Sequence, residues 1–125
     1  MADILIIEDN EANMRLARLL LTNAGHSVRW AADAESGLTV AREHQPALIL
    51  MDIQLPGMDG LAATALLKQD PLTAHIPVIT LTAMAMKEDR EKTRLAGCDA
   101  YVIKPLRYKE LYLVIDTLLK KPSLR

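Results

Sequence analysis

The hydrophobic positions fall into two alternating rhythms. Short apolar runs at Ile4–Ile7, Leu48–Met51, Pro77–Thr82 and Ala100–Ile103 have strand length and little polar interruption. Runs of this kind suit strands buried on both faces, as in the middle of a parallel sheet. Between them lie segments with helical spacing. Met14, Ala17, Leu20, Leu21 and Ala24 share one face, and Gly25 stands where a left-handed C-cap belongs. Val28 and Trp30 alternate with Ser27, Arg29 and Ala31, which predicts a less buried edge strand. A second helix is predicted over Ala34–Glu43, with Leu38 and Ala41, or Ala34 and Leu38, turned inward, and Pro46 closes that connection. A third covers Leu61–Lys68 and breaks at Asp70-Pro71. A fourth covers Lys87–Ala96. It is rich in charge, with Leu95 and Ala96 as its apolar anchors, so it is the helix least firmly held to a core. The last helix carries Leu111, Val114, Ile115, Leu118 and Leu119 on one stripe, with Lys120 and Lys121 favouring its C-terminal dipole.

Strand and helix thus alternate five times, which predicts a three-layer α/β domain with a parallel sheet and right-handed crossovers. Residues 1–121 are read as one domain and 122–125 as a short tail. The 125 residues suffice for one real core, filled by Leu, Ile, Val, Ala and Met because Phe is absent. A net charge of −1 gives no general attraction to nucleic acid or an anionic membrane. The single cysteine, Cys98, excludes an intramolecular disulfide and fits a reducing compartment. Without a signal peptide or a membrane-length apolar stretch, a cytoplasmic location is expected.

The candidate chemistry sits where the strands end. All strands of a parallel sheet point the same way, and open α/β sheets hold their ligands at the carboxyl edge. Glu8 and Asp9 follow the first strand, Asp52 ends the third, Thr82 ends the fourth and Lys104 ends the fifth. If the first, third, fourth and fifth strands are neighbours, these groups ring one crevice. Clustered carboxylates repel one another, and a hard divalent cation such as Mg²⁺ removes the conflict. Three carboxylates, one Mg²⁺ and one lysine ammonium sum to a neutral site. A phosphoryl group could then approach Asp52, with Mg²⁺ and Lys104 stabilising its oxygens and Thr82 donating a hydrogen bond, to leave an aspartyl phosphate.

Blander readings of the same residues stand beside this one. Asp52 could cap the next helix, and Glu8 and Asp9 could cap the first. Lys104 could be a solvated lysine before a turn, and a strand-end Thr82 or a half-buried Tyr101 is ordinary. Cys98 reads as a small apolar packing residue, and His26, His44 and His75 as surface or loop residues without ligand spacing. Met84 and Met86 suit ordinary packing or an adaptable partner surface. Tyr108 and Tyr112, one turn apart, suit either the core or a partner.

Four groups of residues resemble the receiver domains of two-component response regulators: Glu8-Asp9, Asp52 with Leu55-Pro56-Gly57-Met58-Asp59-Gly60, Thr82-Ala83, and Lys104-Pro105. The resemblance runs from about Asp3 to Leu119. Glu8-Asp9-Asn10-Glu11-Ala12-Asn13 and Met51-Asp52-Ile53-Gln54-Leu55-Pro56 are similar to single-domain cell-division regulators of the DivK type. The resemblance implies a flavodoxin-like (CheY-like) doubly wound sheet of five parallel strands in the order 2-1-3-4-5, with five helices. It implies Asp52 as phosphoacceptor, Asp9 and Asp52 as direct Mg²⁺ ligands, Glu8 as a ligand mostly through water, and the backbone carbonyl of Gln54 as the remaining protein ligand. Mn²⁺ can substitute. It implies that Lys104 contacts the phosphoryl group, that the Lys104-Pro105 peptide is cis, and that Thr82 and Tyr101 form a switch pair. Glu8 departs from the Asp that many relatives carry, which adjusts metal affinity without abolishing binding.

The implied output is a population shift of the fourth helix, fifth strand and fifth helix face, for which roughly 3–5 kcal/mol of differential stabilisation suffices. The implied partners are a histidine kinase or histidine phosphotransfer protein and a downstream regulatory protein, with no nucleic acid or membrane, in a monomer or weak dimer. On this reading the chain is a signalling switch without an output domain, and catalyses only its own phosphotransfer and dephosphorylation. The competing readings are a receiver excised from a longer regulator, an aspartyl-nucleophile phosphohydrolase and a flavin carrier. The hydrolase wants a second Asp where Gln54 stands, and Glu8-Asp9-Asn10 would repel the phosphate of a flavin.

Overall fold

The computed structural model describes residues 2–82, 87–104 and 106–120, with the backbone alone at 87–90 and 120. The elements run β1 (Asp3–Ile7), α1 (Glu11–Asn23), β2 (Ser27–Ala31), α2 (Ala34–His44), β3 (Leu48–Asp52), α3 (Gly60–Gln69), β4 (Val78–Thr82), α4 (Lys87–Ala96), β5 (Ala100–Ile103) and α5 (Tyr108–Lys120). The strands form one parallel sheet in the order β2-β1-β3-β4-β5. This is the doubly wound arrangement expected from the sequence. It brings β1, β3, β4 and β5 side by side, so their carboxyl ends share one edge.

The apolar runs explain the layering. Successive side chains of a strand point to opposite faces. Ile4, Ile6, Leu48, Leu50, Ile79 and Leu81 pack on one face with Met14, Ala17 and Leu21 of α1 and Leu111 and Ile115 of α5. Leu5, Ile7, Ile49, Met51 and Val78 pack on the other face with Ala34 and Ala41 of α2 and Ala63 and Leu67 of α3. β3 and β4 are buried throughout, as strands covered on both sides must be.

The helices begin where polar side chains take up their free N–H groups. Asn10, Asp33 and Asp59 accept from the backbone of Asn13, Ser36 and Ala62 respectively. Asp52, Glu8 and Asp9 are thereby relieved of the capping role that was the plain alternative for each. α1 ends at Asn23 and Gly25 takes φ 93°, the left-handed conformation anticipated at that position.

Some side chains face other ways than the periodicity indicates. Ala24 is exposed as the cap of α1, just past the buried stripe. On β2, Ala31 is buried and Trp30 is 40% exposed, because an edge strand has a neighbour on one side only. On α2 the buried residues are Ala34, Gly37 and Ala41, with Leu38 half-buried. His26 is half-buried, its Nδ1 accepting from the Ala2 N–H at 3.1 Å. Cys98 packs against the second core cluster and donates to the Thr93 carbonyl, as a small apolar residue would. Tyr112 is half-buried and bonds the Leu20 carbonyl at 2.7 Å, while Tyr108 stays exposed against its ring. Ala83, Met84, Met86, the Lys104-Pro105 peptide and the tail lie outside the described residues.

The return from β3 to α3 fixes the end of the central strand. Gly60 N–H donates to the Ile53 carbonyl at 2.8 Å, and a Cβ on Gly60 would overlap the Asp52 carbonyl oxygen. Main chain cannot retreat as a flexible side chain can. Gly60→Ala is therefore expected to destabilise the protein by about 3 kcal/mol in urea unfolding, and a change within about 0.5 kcal/mol would show that the turn adapts.

Candidate functional site

Three strand ends deliver the charged groups. Glu8 directly follows β1, and its N–H still bonds the Ala31 carbonyl of β2 at 3.0 Å. Asp52 is the last residue of β3. Lys104 follows β5, with its N–H on the Thr82 carbonyl at 2.7 Å. The Lys104 ammonium lies 3.1 Å from Asp52 Oδ1 and 3.3 Å from Glu8 Oε1. Glu8 is 1% exposed and Asp52 3% exposed, so this pairing occurs largely out of water. Asp9 is exposed at the rim, and one carboxylate oxygen from each of Glu8, Asp9 and Asp52 falls within a 4.8 Å group.

One ammonium cannot balance three carboxylates, and the balance shows in the acidities. Burial, then the hydrogen-bonding contact with Asp52, pushes the Glu8 carboxyl from its ordinary value near 4.5 up to about 7. Burial alone would lower the Lys104 pKa, but the Asp52 and Glu8 carboxylates outweigh it and raise it. The donor set is all oxygen, crowded and short of positive charge, which fits a small hard cation. Glu8, Asp9 and Asp52 would hold it.

Thr82 is 4% exposed at the end of β4, beside this group, and Tyr101 is half-buried on β5, in register with Thr80. The Gln54 side chain is exposed, and its N–H bonds Asp52 Oδ1 at 3.3 Å. Two participants escaped the sequence reading. Asn10 N–H bonds Glu8 Oε2 at 3.2 Å, and the Trp30 indole N–H bonds the Glu8 carbonyl at 2.7 Å. The polar step Glu8-Asp9-Asn10 before a helix was a usable signal for Asn10. A contact across 22 residues from an edge strand leaves no local signal.

The Glu8 shift has a definite sign. Its pKa is higher folded than unfolded, so the native state holds the proton more tightly, and stability falls as pH rises from about 4.5 to about 7. Without metal, Glu8→Gln is expected to gain about 1–2 kcal/mol over wild type at pH 8 and to lose that advantage near pH 4.5, while binding Mg²⁺ more weakly. Urea melts at the two pH values and Mg²⁺ calorimetry read this out. A variant destabilised equally at both pH values would contradict it.

Comparison with known proteins agrees with this geometry. Residues 4–116 match the family described as the response regulator receiver domain. The chain is 50% identical over 103 residues to the polar-differentiation response regulator DivK of Brucella anthropi, a match covering 82% of this chain and 84% of that one. Its fold is similar to the magnesium-bound receiver domain of a sensor histidine kinase from Pseudomonas aeruginosa, at TM-score 0.90 and 32% identity over 96% of this chain and 98% of that one. It is also similar to a CheY-like response regulator receiver domain protein from Methanospirillum hungatei, at TM-score 0.87 and 30% identity over 95% and 94% of the two chains. A strand-end acidic cluster with its lysine, on this sheet order and with these relatives, places the chain in the response regulator receiver family of two-component signalling.

Proposed function

We propose that Asp52 accepts a phosphoryl group from a phosphohistidine donor and that the chain signals by the resulting change in its partner-binding face. The observation that carries this reading is the Lys104 ammonium held 3.1 Å from Asp52 Oδ1 at the carboxyl edge of the sheet. An Asp52 carboxylate oxygen attacks phosphorus, the P–N bond breaks, and its electron pair goes to the departing imidazole nitrogen. Lys104 meets the charge on the phosphoryl oxygens, and Thr82 donates to one of them. Glu8, Asp9, Asp52 and the Gln54 carbonyl would hold Mg²⁺, which supplies further positive charge to those oxygens when bound. Burial of Asp52 and Glu8 keeps these charges in a region of low dielectric, where they act strongly.

Thr82 and Tyr101 are the proposed switch. An open pocket bordered by Thr93, Arg94, Cys98 and Tyr101 lies beside the Tyr101 ring at the junction of α4 and β5. α4 is suited to respond, since among its described side chains only Thr93 is buried and Leu95 is 74% exposed. The α4–β5–α5 face is then the output surface, with a histidine kinase or phosphotransfer protein upstream and a regulatory protein downstream. Among the described residues no helix is long and apolar enough to cross a membrane.

Incubation with acetyl phosphate and Mg²⁺, followed by intact mass, tests the acceptor. One phosphoryl group should be added to wild type and none to Asp52→Asn. Lys104→Gln should slow the uptake about tenfold to a hundredfold, the worth of a charge-assisted hydrogen bond. Phosphoryl addition to Asp52→Asn, or steady hydrolysis of varied phosphate esters by wild type, would refute the assignment.

A further inference from the structure

The peptide joining Glu8 to Asp9 is held from a distance. Glu8 N–H is tied to the Ala31 carbonyl, and Glu8 Oε2 accepts from Asn10 N–H, while Asn10 caps α1. The link left between these anchors is the Glu8 carbonyl, and the Trp30 indole N–H takes it at 2.7 Å. That is a short N–H···O distance, at the near end of the usual range. A peptide unit is planar, so fixing its oxygen fixes the plane from which the Asp9 Cα departs. Asp9 lies beyond β1, exposed, where strand pairing no longer sets its direction. It is also the outermost of the three carboxylates grouped within 4.8 Å.

We infer that Trp30 is a positioning residue for the cation site: its indole N–H sets the Glu8–Asp9 peptide so that both carboxylates face Asp52. This rests on the proposed Mg²⁺-dependent phosphorylation of Asp52. Trp30 touches neither a cation nor a phosphoryl group and acts only through the main chain. The role also accounts for a large ring left 40% exposed on an edge strand, where its apolar surface gains little from burial. Partners that orient metal ligands from outside the coordination sphere typically matter by 10–100-fold in affinity. Because water can reach this rim, the low end, about tenfold, is expected.

The chain has a single tryptophan, so biosynthetic replacement of tryptophan alters position 30 alone. Benzothienylalanine keeps the ring shape and exchanges the N–H for sulfur, whereas 7-azatryptophan keeps the N–H. Mg²⁺ calorimetry on the full chain should show about tenfold weaker binding for the benzothienyl protein and for Trp30→Phe, with the azatryptophan protein within about twofold of wild type. Phosphorylation by acetyl phosphate should need correspondingly more Mg²⁺ for half-maximal rate, with the rate at saturating Mg²⁺ unchanged. Wild-type affinity in the benzothienyl protein would overturn the inference, as would a fall in the saturated rate that matches the loss of affinity. A wild-type protein that binds no Mg²⁺ would instead remove the receiver chemistry on which the inference stands.

Discussion

The structure turns on one ammonium group lodged between two buried carboxylates. Lys104 reaches Asp52 and Glu8 across separations of 52 and 96 residues, so the contact exists only when the whole sheet has formed. Taken alone it is an incomplete salt bridge. A buried pair offsets its desolvation only when its charges are well matched, and here the negative side is in excess. Burial first, and the contact with Asp52 after it, push the Glu8 carboxyl up to about 7. The same imbalance suits the site to the cation and the phosphoryl group proposed for it.

Topology makes the imbalance affordable. β1 and β3 are adjacent, and β4 separates β3 from β5, so the acids come from the middle of the sheet and the lysine arrives from one side. Apolar side chains pack both faces beneath this edge, and β3 is buried along its full length. Rigid strands below and polar turns above are what a site needs when it must hold charge in place yet remain open to a donor. The loop turns are held by their own devices: Asn10 caps α1, Asp59 caps α3, and Gly60 lets α3 approach the Asp52 main chain.

Much of this was legible from the residues alone. Uninterrupted runs such as Leu48–Met51 can only be central strands in a chain of this kind, and a carboxylate closing such a run marks the ligand edge. Element limits shifted by a residue or two, as at Gly60–Gln69, where a cap rather than the apolar pattern sets the end. What periodicity could not supply was the orientation of residues at an edge. Trp30 alternates with its neighbours as Val28 does, yet Ala31 is the buried residue of β2 and the indole N–H bonds the Glu8 carbonyl. Hydrophobicity ranks Trp as a core residue, and a single long-range hydrogen bond decides otherwise. The Glu8 acidity was likewise beyond the sequence, since it depends on how completely the folded strand ends exclude water from this residue, which is 1% exposed.

Nuclear magnetic resonance of the protein titrated with Mg²⁺ and then with trifluoroberyllate, a mimic of the phosphoryl group, reaches the central claim most directly. If the carboxylates and Lys104 act as one electrostatic unit, the mimic should bind only after Mg²⁺, shift Asp52 and Lys104 together, and carry the change to Thr82, Tyr101 and α4. Binding without Mg²⁺, or shifts confined to Asp52 and its turn with Lys104 unmoved, would contradict it.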